Sequence, residues 1–311
     1  MDKNKMKLKW LGSLLLACVI SPTALADVVK FEKVTKNVYA FIGEIDDRTK
    51  TNLGLNANIG LIVTEAGAVI IDSGAGPLSA AAIEKAAKKV THKKIVAVFN
   101  TGAQDHRWLG NDYFAKQGAT IYAMDTTVAT QKAMLDAILN RIMGVDAIFR
   151  EQTPFHAPEP FTGSTGKVTI GGVDFEMKYF NDAHFPGDAV VWLPQSQVLF
   201  SGDHVYVDRL LGVHPHTHAV KWLDAYEQMI QLPAKYIVPG HGAVSDKAKV
   251  QTETGDYLKQ LVTAIKTVQE DFGAIDDVTP SRDWSQFQHL RHFDGWHGRN
   301  VSNTFMRLEM E

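Results

Sequence analysis

Cysteine is almost absent: Cys18 is the only one in 311 residues. A chain with one cysteine forms no internal disulfide and cannot build a thiolate zinc site of the usual kind. A bilayer span takes roughly 20 apolar residues, and residues 11–20 form a run about half that long. Positive charge is not in excess either. Lys and Arg number 32 against 35 Asp and Glu, a net charge of −3, which leaves no basic footprint for nucleic acid. Repeats at the periods of solenoids and low-complexity tracts are missing as well. What remains is ordinary globular composition, 45% apolar and 22% charged, in a chain long enough to bury a core without disulfide or structural metal.

The N-terminus reads as a leader. Lys3, Lys5, Lys7 and Lys9 precede the apolar run, and Ala24-Leu25-Ala26 offers small residues for cleavage after Ala26. The expected location is periplasmic or secreted. The alternative is a lipoprotein anchored through Cys18, because Leu15-Leu16-Ala17-Cys18 loosely resembles a lipoprotein box. Removing residues 1–26 takes away four lysines and Asp2, so the mature chain would carry −6.

Hydrophobic patterning then divides the chain into two halves. The first predicts strands at 38–43, 59–63, 68–71 and 95–100, with a hairpin turn at 65–67. Its helices are expected at 78–89, 109–117 and 126–143. After a Pro- and Gly-rich stretch at 153–166 come strands at 168–170, 173–180, 189–193, 198–201 and 236–238. Helices are expected at 220–231, 249–268 and 301–308. Two strand-then-helix halves of similar size suggest two sheets packed face to face with helices outside.

Three segments follow strands and carry imidazole or carboxylate: Asn181 to Asp188 with His184, Ser201-Gly202-Asp203-His204, and Val238-Pro239-Gly240-His241-Gly242. Imidazole and carboxylate at strand ends can converge on a cation, and glycine lets the backbone approach closely. Each alone is more often a hydrogen-bonded core or surface group than a ligand.

In order, these segments resemble the metallo-β-lactamase superfamily. The run is Ile70-Ile71-Asp72-Ser73-Gly74, Phe99-Asn100-Thr101, His184 with Gly187-Asp188, Phe200-Ser201-Gly202-Asp203, then Pro239-Gly240-His241-Gly242. The resemblance covers roughly residues 36 to 245 and implies an α+β fold, a four-layer αββα sandwich with a metal site at one edge. It implies one such domain over residues 27–311, with residues 246–311 as a C-terminal helical segment. Most members are zinc hydrolases, and some hold iron.

The first ligand loop departs from the family pattern Asn-Thr-His-x-His-x-Asp-His. Aligned without a gap, Gly102 and Gln104 replace the two histidines, His106 the aspartate and Arg107 the last histidine. The site shared by those histidines and His184 keeps only His184, and a neutral Gln carbonyl is a poor zinc ligand beside imidazole. The second site keeps His106, Asp203 and His241, three ligands with an open position, as catalytic zinc or non-haem iron requires. One divalent metal is therefore expected, zinc before iron, with a metal-free hydrogen-bonded cluster as the other reading. Asp72 is implied to support the ligand loops through hydrogen bonds.

Around this set, His214, His216 and His218 read either as pocket lining or as a solvated loop. His289, His292, Trp296 and His297 read as a C-terminal segment that caps this site or another subunit's, with metal binding by these histidines as the other reading. The expected activity is hydrolysis of an ester, thioester, amide or lactam. In it Asp203 or a neighbouring carboxylate takes a proton, and Arg107 or Gln104 orients a substrate oxygen. In the metal-free reading Arg107 instead neutralises Asp203 directly. A catalytically inactive binding module is the alternative, and an iron-dependent thiol or sulfur oxygenase a variant. The expected partner is a small-molecule substrate, not nucleic acid, with no integral membrane span.

Overall fold

The computed structural model describes residues 28–311; the leader, its cleavage site at Ala26 and the alternative anchor Cys18 lie outside the described residues. Six strands form the first sheet in chain order: β1 (Glu32–Thr35), β2 (Val38–Phe41), β3 (Ile59–Val63), β4 (Ala68–Ile71), β5 (Ile95–Phe99) and β6 (Thr120–Tyr122). The second sheet holds β7 (Thr165–Ile170), β8 (Val173–Lys178), β9 (Val190–Leu193), β10 (Val198–Tyr206) and β11 (Tyr236–His241). Hairpin-connected neighbours pair antiparallel, whereas β4, β5 and β6 run parallel, because helices cross between them. These helices are α1 (Pro77–Val90), then α2 (Asp105–Trp108) and α3 (Asn111–Ala115). The pair β10–β11 is parallel for the same reason, with α6 (Ala219–Met229) between them.

The inner faces of the sheets meet in one buried cluster. Ile62, Val69, Ile71 and Phe99 of the first pack with Phe175, Val191, Leu193 and Phe200 of the second, and the Phe99 and Phe175 rings stack at 5.0 Å. On the outer face of the first sheet, Leu61, Ile70 and Val98 pack against Ala80, Ile83 and Ala87 of α1 and Phe114 of α3. On the outer face of the second, Val190, Leu199 and Ile237 pack against Trp222 and Tyr226 of α6. The same cluster takes in Leu258, Leu261 and Ile265 of α8 (Asp256–Glu270) and Val301 and Phe305 of α9 (Phe293–Glu309). The layers are helix, sheet, sheet, helix. Each buried Leu, Ile or Phe contributes about 1.5–3 kcal/mol, which is why no disulfide is needed. No described helix is long and apolar enough to cross a membrane.

Several elements differ from the sequence expectation. The expected helix at 126–143 is broken at Met134 (φ −105, ψ 11), giving α4 (Asp125–Ala133) and α5 (Leu135–Met143). The short strands β1 and β6 escape the pattern, β1 being a half-exposed edge. The last helix starts at Phe293, not 301. Most consequential for the site, β10 continues through Asp203 and His204 to Tyr206 and β11 through to His241, where loops were expected. Register shifts at Gly202, whose φ is +50, let β10 bend and go on pairing with β11.

Candidate metal centre and its pocket

The segment after β5 is held by its own polar side chains. Asn100 and Asn111 exchange amide hydrogen bonds (2.7 and 3.0 Å) across the loop, and Asn100 Nδ2 also donates to the Arg107 carbonyl at 3.0 Å. Thr101 donates through its backbone N–H and its hydroxyl to the two Asp72 oxygens, both at 2.7 Å. The Trp108 indole donates to the Ala103 carbonyl at 2.9 Å. These bonds fix α2, which carries His106 and Arg107.

His106 is 1% exposed, and neither ring nitrogen has a hydrogen-bond partner. Its nearest carboxylate oxygens are Asp105 Oδ1 at 3.5 Å from Nδ1 and Asp203 Oδ2 at 3.9 Å from Nε2. Across from it, His241 Nδ1 lies 2.7 Å from the Asn56 carbonyl. Arg209 Nη1, a donor, lies 3.2 Å from the same nitrogen. The shorter contact is to the carbonyl, which only accepts, and this assigns the proton to Nδ1 and a lone pair to Nε2. That lone pair lies 3.4 Å from Asp203 Oδ1. Burial, then Arg209, lowers the His241 pKa to about 3, and burial foremost lowers that of His106 to about 4; both rings are neutral near pH 7. Ligand atoms of His106, Asp203 and His241 all lie within 4.8 Å of one another, the one such group among the described residues. A lone pair facing a carboxylate is repelled unless a cation sits between them. The donors therefore fit one divalent ion.

Arg107 follows one of its two expected roles, the pairing with Asp203, and not the other. Its guanidinium does not reach the pocket to orient a substrate oxygen; it is 1% exposed and turned into the protein. Nη2 and Nε bind the two Asp203 oxygens, and Nη1 donates to Asp72 Oδ2 at 2.9 Å. Burial would raise Asp203, but Arg107 beside it, with His106 and His241, holds its carboxyl well below the usual range. A carboxylate so held is a weak general base. For Asp72 burial prevails over the same arginine and over Thr101, and its pKa rises to about 6.

Gly102 is filled space. A Cβ there would lie 2.4 Å from Asp188 Oδ1, and the Asp188 carboxylate is anchored by the Phe185 N–H at 2.7 Å. His184, expected as a metal ligand, stands apart from the His106, Asp203 and His241 group. Its Nδ1 donates to the Gly212 carbonyl at 2.8 Å, and the ring lies among Phe185, Tyr206, His214 and Trp222.

In front of the cluster opens a cavity of about 310 Å³. Gln104, His106, His184, Tyr206, His214 and His241 line it, and Trp296 and Arg299 of α9 reach it from the C-terminal segment. His214 thus lines the pocket, and His216 lines an adjoining recess. His218 does neither: it precedes α6 and pairs with Glu311 at 2.9 Å. Arg209, which neighbours the loop of these histidines in sequence, lines the cavity too, whereas Arg48 and Arg141 on its wall carry no sequence signal and are marked only by spatial convergence. His297 packs between Trp284 and Phe293, in the core and away from the cavity.

The family model described as "Metallo-beta-lactamase superfamily" matches residues 53–241. The chain is 26% identical over 227 residues to the metallo-beta-lactamase type 2 of Elizabethkingia meningoseptica, covering 72% of this chain and 82% of that protein. Among solved structures, a metallo-beta-lactamase from Pontibacter korlensis superposes with a TM-score of 0.57 at 22% identity, covering 74% of this chain and 99% of the other. A stereoselective inverting sec-alkylsulfatase from Pseudomonas sp. superposes with a TM-score of 0.70 at 16% identity. That match covers 90% of this chain and 50% of the sulfatase. At these identities the structural matches speak for the fold.

Proposed function

The chain belongs to the metallo-beta-lactamase superfamily, and from that premise we propose that it is a metal-dependent hydrolase with at most one catalytic ion, held by His106, Asp203 and His241. The observation that carries the reading is the buried donor set. His106 has two unpartnered ring nitrogens, and the His241 lone pair faces the Asp203 carboxylate at 3.4 Å. Zinc is proposed over iron. Two imidazoles and one carboxylate make the three-ligand set with one open position that catalytic zinc takes.

Such an ion supplies Lewis-acid polarisation of an ester, thioester, amide or lactam oxygen. The chain's own groups do the rest. Gln104, 4% exposed with Oε1 unpartnered, offers an acceptor that orients a donor in the cavity. The Tyr206 phenol stays protonated, because burial and then Asp203 push its pKa up, and so can donate. His184, neutral with Nδ1 engaged, leaves Nε2 to accept a hydrogen bond. We further propose that the protein works in the periplasm on a small molecule.

A second reading has its own observation. Arg107 already occupies both Asp203 oxygens, which suits a metal-free binding module. Elemental analysis of protein purified without a histidine tag, in micromolar zinc, decides between them. We expect up to one equivalent, lost in His241→Ala and Asp203→Ala, since even changes beyond the ligands weaken such sites about 10–100-fold. No bound metal at all would leave the binding module standing.

A further inference from the structure

Four guanidinium groups reach the same cavity from four places in the fold. Arg48 comes from the loop after β2, Arg141 from α5, Arg209 from the segment after β10 and Arg299 from α9. Arg48 pairs with Asp105, whereas Arg141, Arg209 and Arg299 have no carboxylate within 4.0 Å among the described residues. Arg209 is 5% exposed, and its Nε is buried without a hydrogen-bond partner. Its guanidinium and that of Arg299 lie 4.7 and 4.8 Å from the Trp296 ring.

The charges do not cancel. Against these four cations stand Asp47 on the wall and Asp105 behind Arg48, which leaves +2. Asp203 is already answered by Arg107. In a chain whose net charge is −3, this concentration of positive charge focuses its field into one concave site. Arg209, buried without a carboxylate partner, is costly to hold unless a counter-charge meets it. Arg141 and Arg299 stand exposed to an incoming anion, and the guanidinium fork matches phosphoryl-type oxygens. A recess of about 150 Å³ adjoins, lined by Met134, Ile138 and Phe185, with Gln104 and Arg141 shared between the two spaces.

We propose that the cavity is a receptor for an amphiphilic organic dianion of the phosphate-monoester type. Its head sits among Arg48, Arg141, Arg209 and Arg299, and its apolar part enters the recess beside Met134 and Phe185. The inference rests on reading this cavity as the substrate site of the proposed hydrolase, but not on metal occupancy.

Calorimetric titration of the whole mature chain tests it, with inorganic phosphate, octyl phosphate and octyl sulfate, in metal-free and zinc-loaded protein. Octyl phosphate is expected to bind the metal-free protein saturably, at least about tenfold tighter than inorganic phosphate, for its chain, and than octyl sulfate, for its second charge. Arg141→Met and Arg299→Met should each weaken it about tenfold or more, whereas Lys88→Met, on the far surface helix α1, should not. Circular dichroism of each variant keeps folding apart from binding. The proposal is overturned by absent saturation, by equal affinity for all three anions, or by binding that needs zinc and ignores both arginine variants. Zinc content of the same samples separates the two readings. Zinc without anion binding sinks the receptor alone, and anion binding without zinc sinks the hydrolase alone.

Discussion

Arg107 and Asp203 face each other as a two-pronged pair deep behind the cavity, Nε and Nη2 on the two carboxylate oxygens. The remaining amino group of Arg107 reaches Asp72 at 2.9 Å. One fixed cation thus lies between two buried carboxylates, at the position where the family pattern has a metal-binding histidine. The nearby Gly240 leaves room for it: a Cβ there would meet Asp203 Oδ1 at 2.4 Å and Arg107 Nη2 at 2.7 Å.

Replacing Arg107 by leucine should therefore damage the fold. It leaves Asp72 and Asp203 buried without their counter-charge, a change that costs about 3–5 kcal/mol. Urea denaturation of Arg107→Leu measures it, and a loss under about 1 kcal/mol would show that the pair is not the structural anchor described.

Gly102 should resist repair into a histidine site. Its missing Cβ is the space of the Asp188 carboxylate, so Gly102→Ala is expected to cost about 1–3 kcal/mol by overpacking. Gly102→His with Gln104→His should bind no second zinc until Asp188→Ser clears the room. Zinc stoichiometry decides this, and two equivalents in the double variant alone contradict it.

Acid should destabilise the metal-free protein from about pH 6.5 downward. Burial lowers His106 and His204 to about 4 and His241 to about 3, and His184 well below 6.5. In that window the unfolded chain binds more protons than the folded one, so stability rises with pH and is lost as pH falls. Each group contributes up to about 1.4 kcal/mol per pH unit. Asp72, raised to about 6, and Asp188, also raised, act in the opposite sense, two against these four and six further lowered histidines, His156, His214, His216, His218, His292 and His297. Urea midpoints at pH 7, 5.5 and 4.5 should fall in that order; a flat series would falsify the assignment.

For the leader we propose cleavage after Ala26. Intact-mass measurement of periplasmic protein should give a chain starting at Asp27, and a lipid on Cys18 or an uncut N-terminus would overturn it.

Much of the architecture was legible because strand and helix periods are local. The edges of β3 and β4 follow from Ile59 to Val63 and Ala68 to Ile71, continuous apolar runs between polar turns. The interruption at Met134 was not, since Met134, Ile138 and Ile142 keep helical spacing across it. At the site, order and spacing along the chain pointed to His106, Asp203 and His241, which the fold brings within 4.8 Å. For Arg107 the pairing with Asp203 was legible as one of two readings, but its second bond, to Asp72 35 positions away, was not, because nothing local says that one guanidinium will bridge two buried carboxylates. The arginine wall escaped for the same reason. Its members share no motif, only a destination.

The cavity is closed by some of the longest-range contacts in the chain. Arg291 binds Asp46 across 245 positions, Val213 N–H donates to Asn300 across 87, and Arg209 forms an isolated bridge with Arg291. Closing such loops loses chain entropy before any contact repays it. The receptor wall should therefore be the last part to acquire protection during refolding, after both sheets. A partly translocated or partly folded chain would then hold neither metal nor anion, and ligand capture would report completed folding. Pulse-labelled hydrogen exchange can watch this order: early protection of the Leu210 and Val213 amides, ahead of β3 and β4, would reverse it.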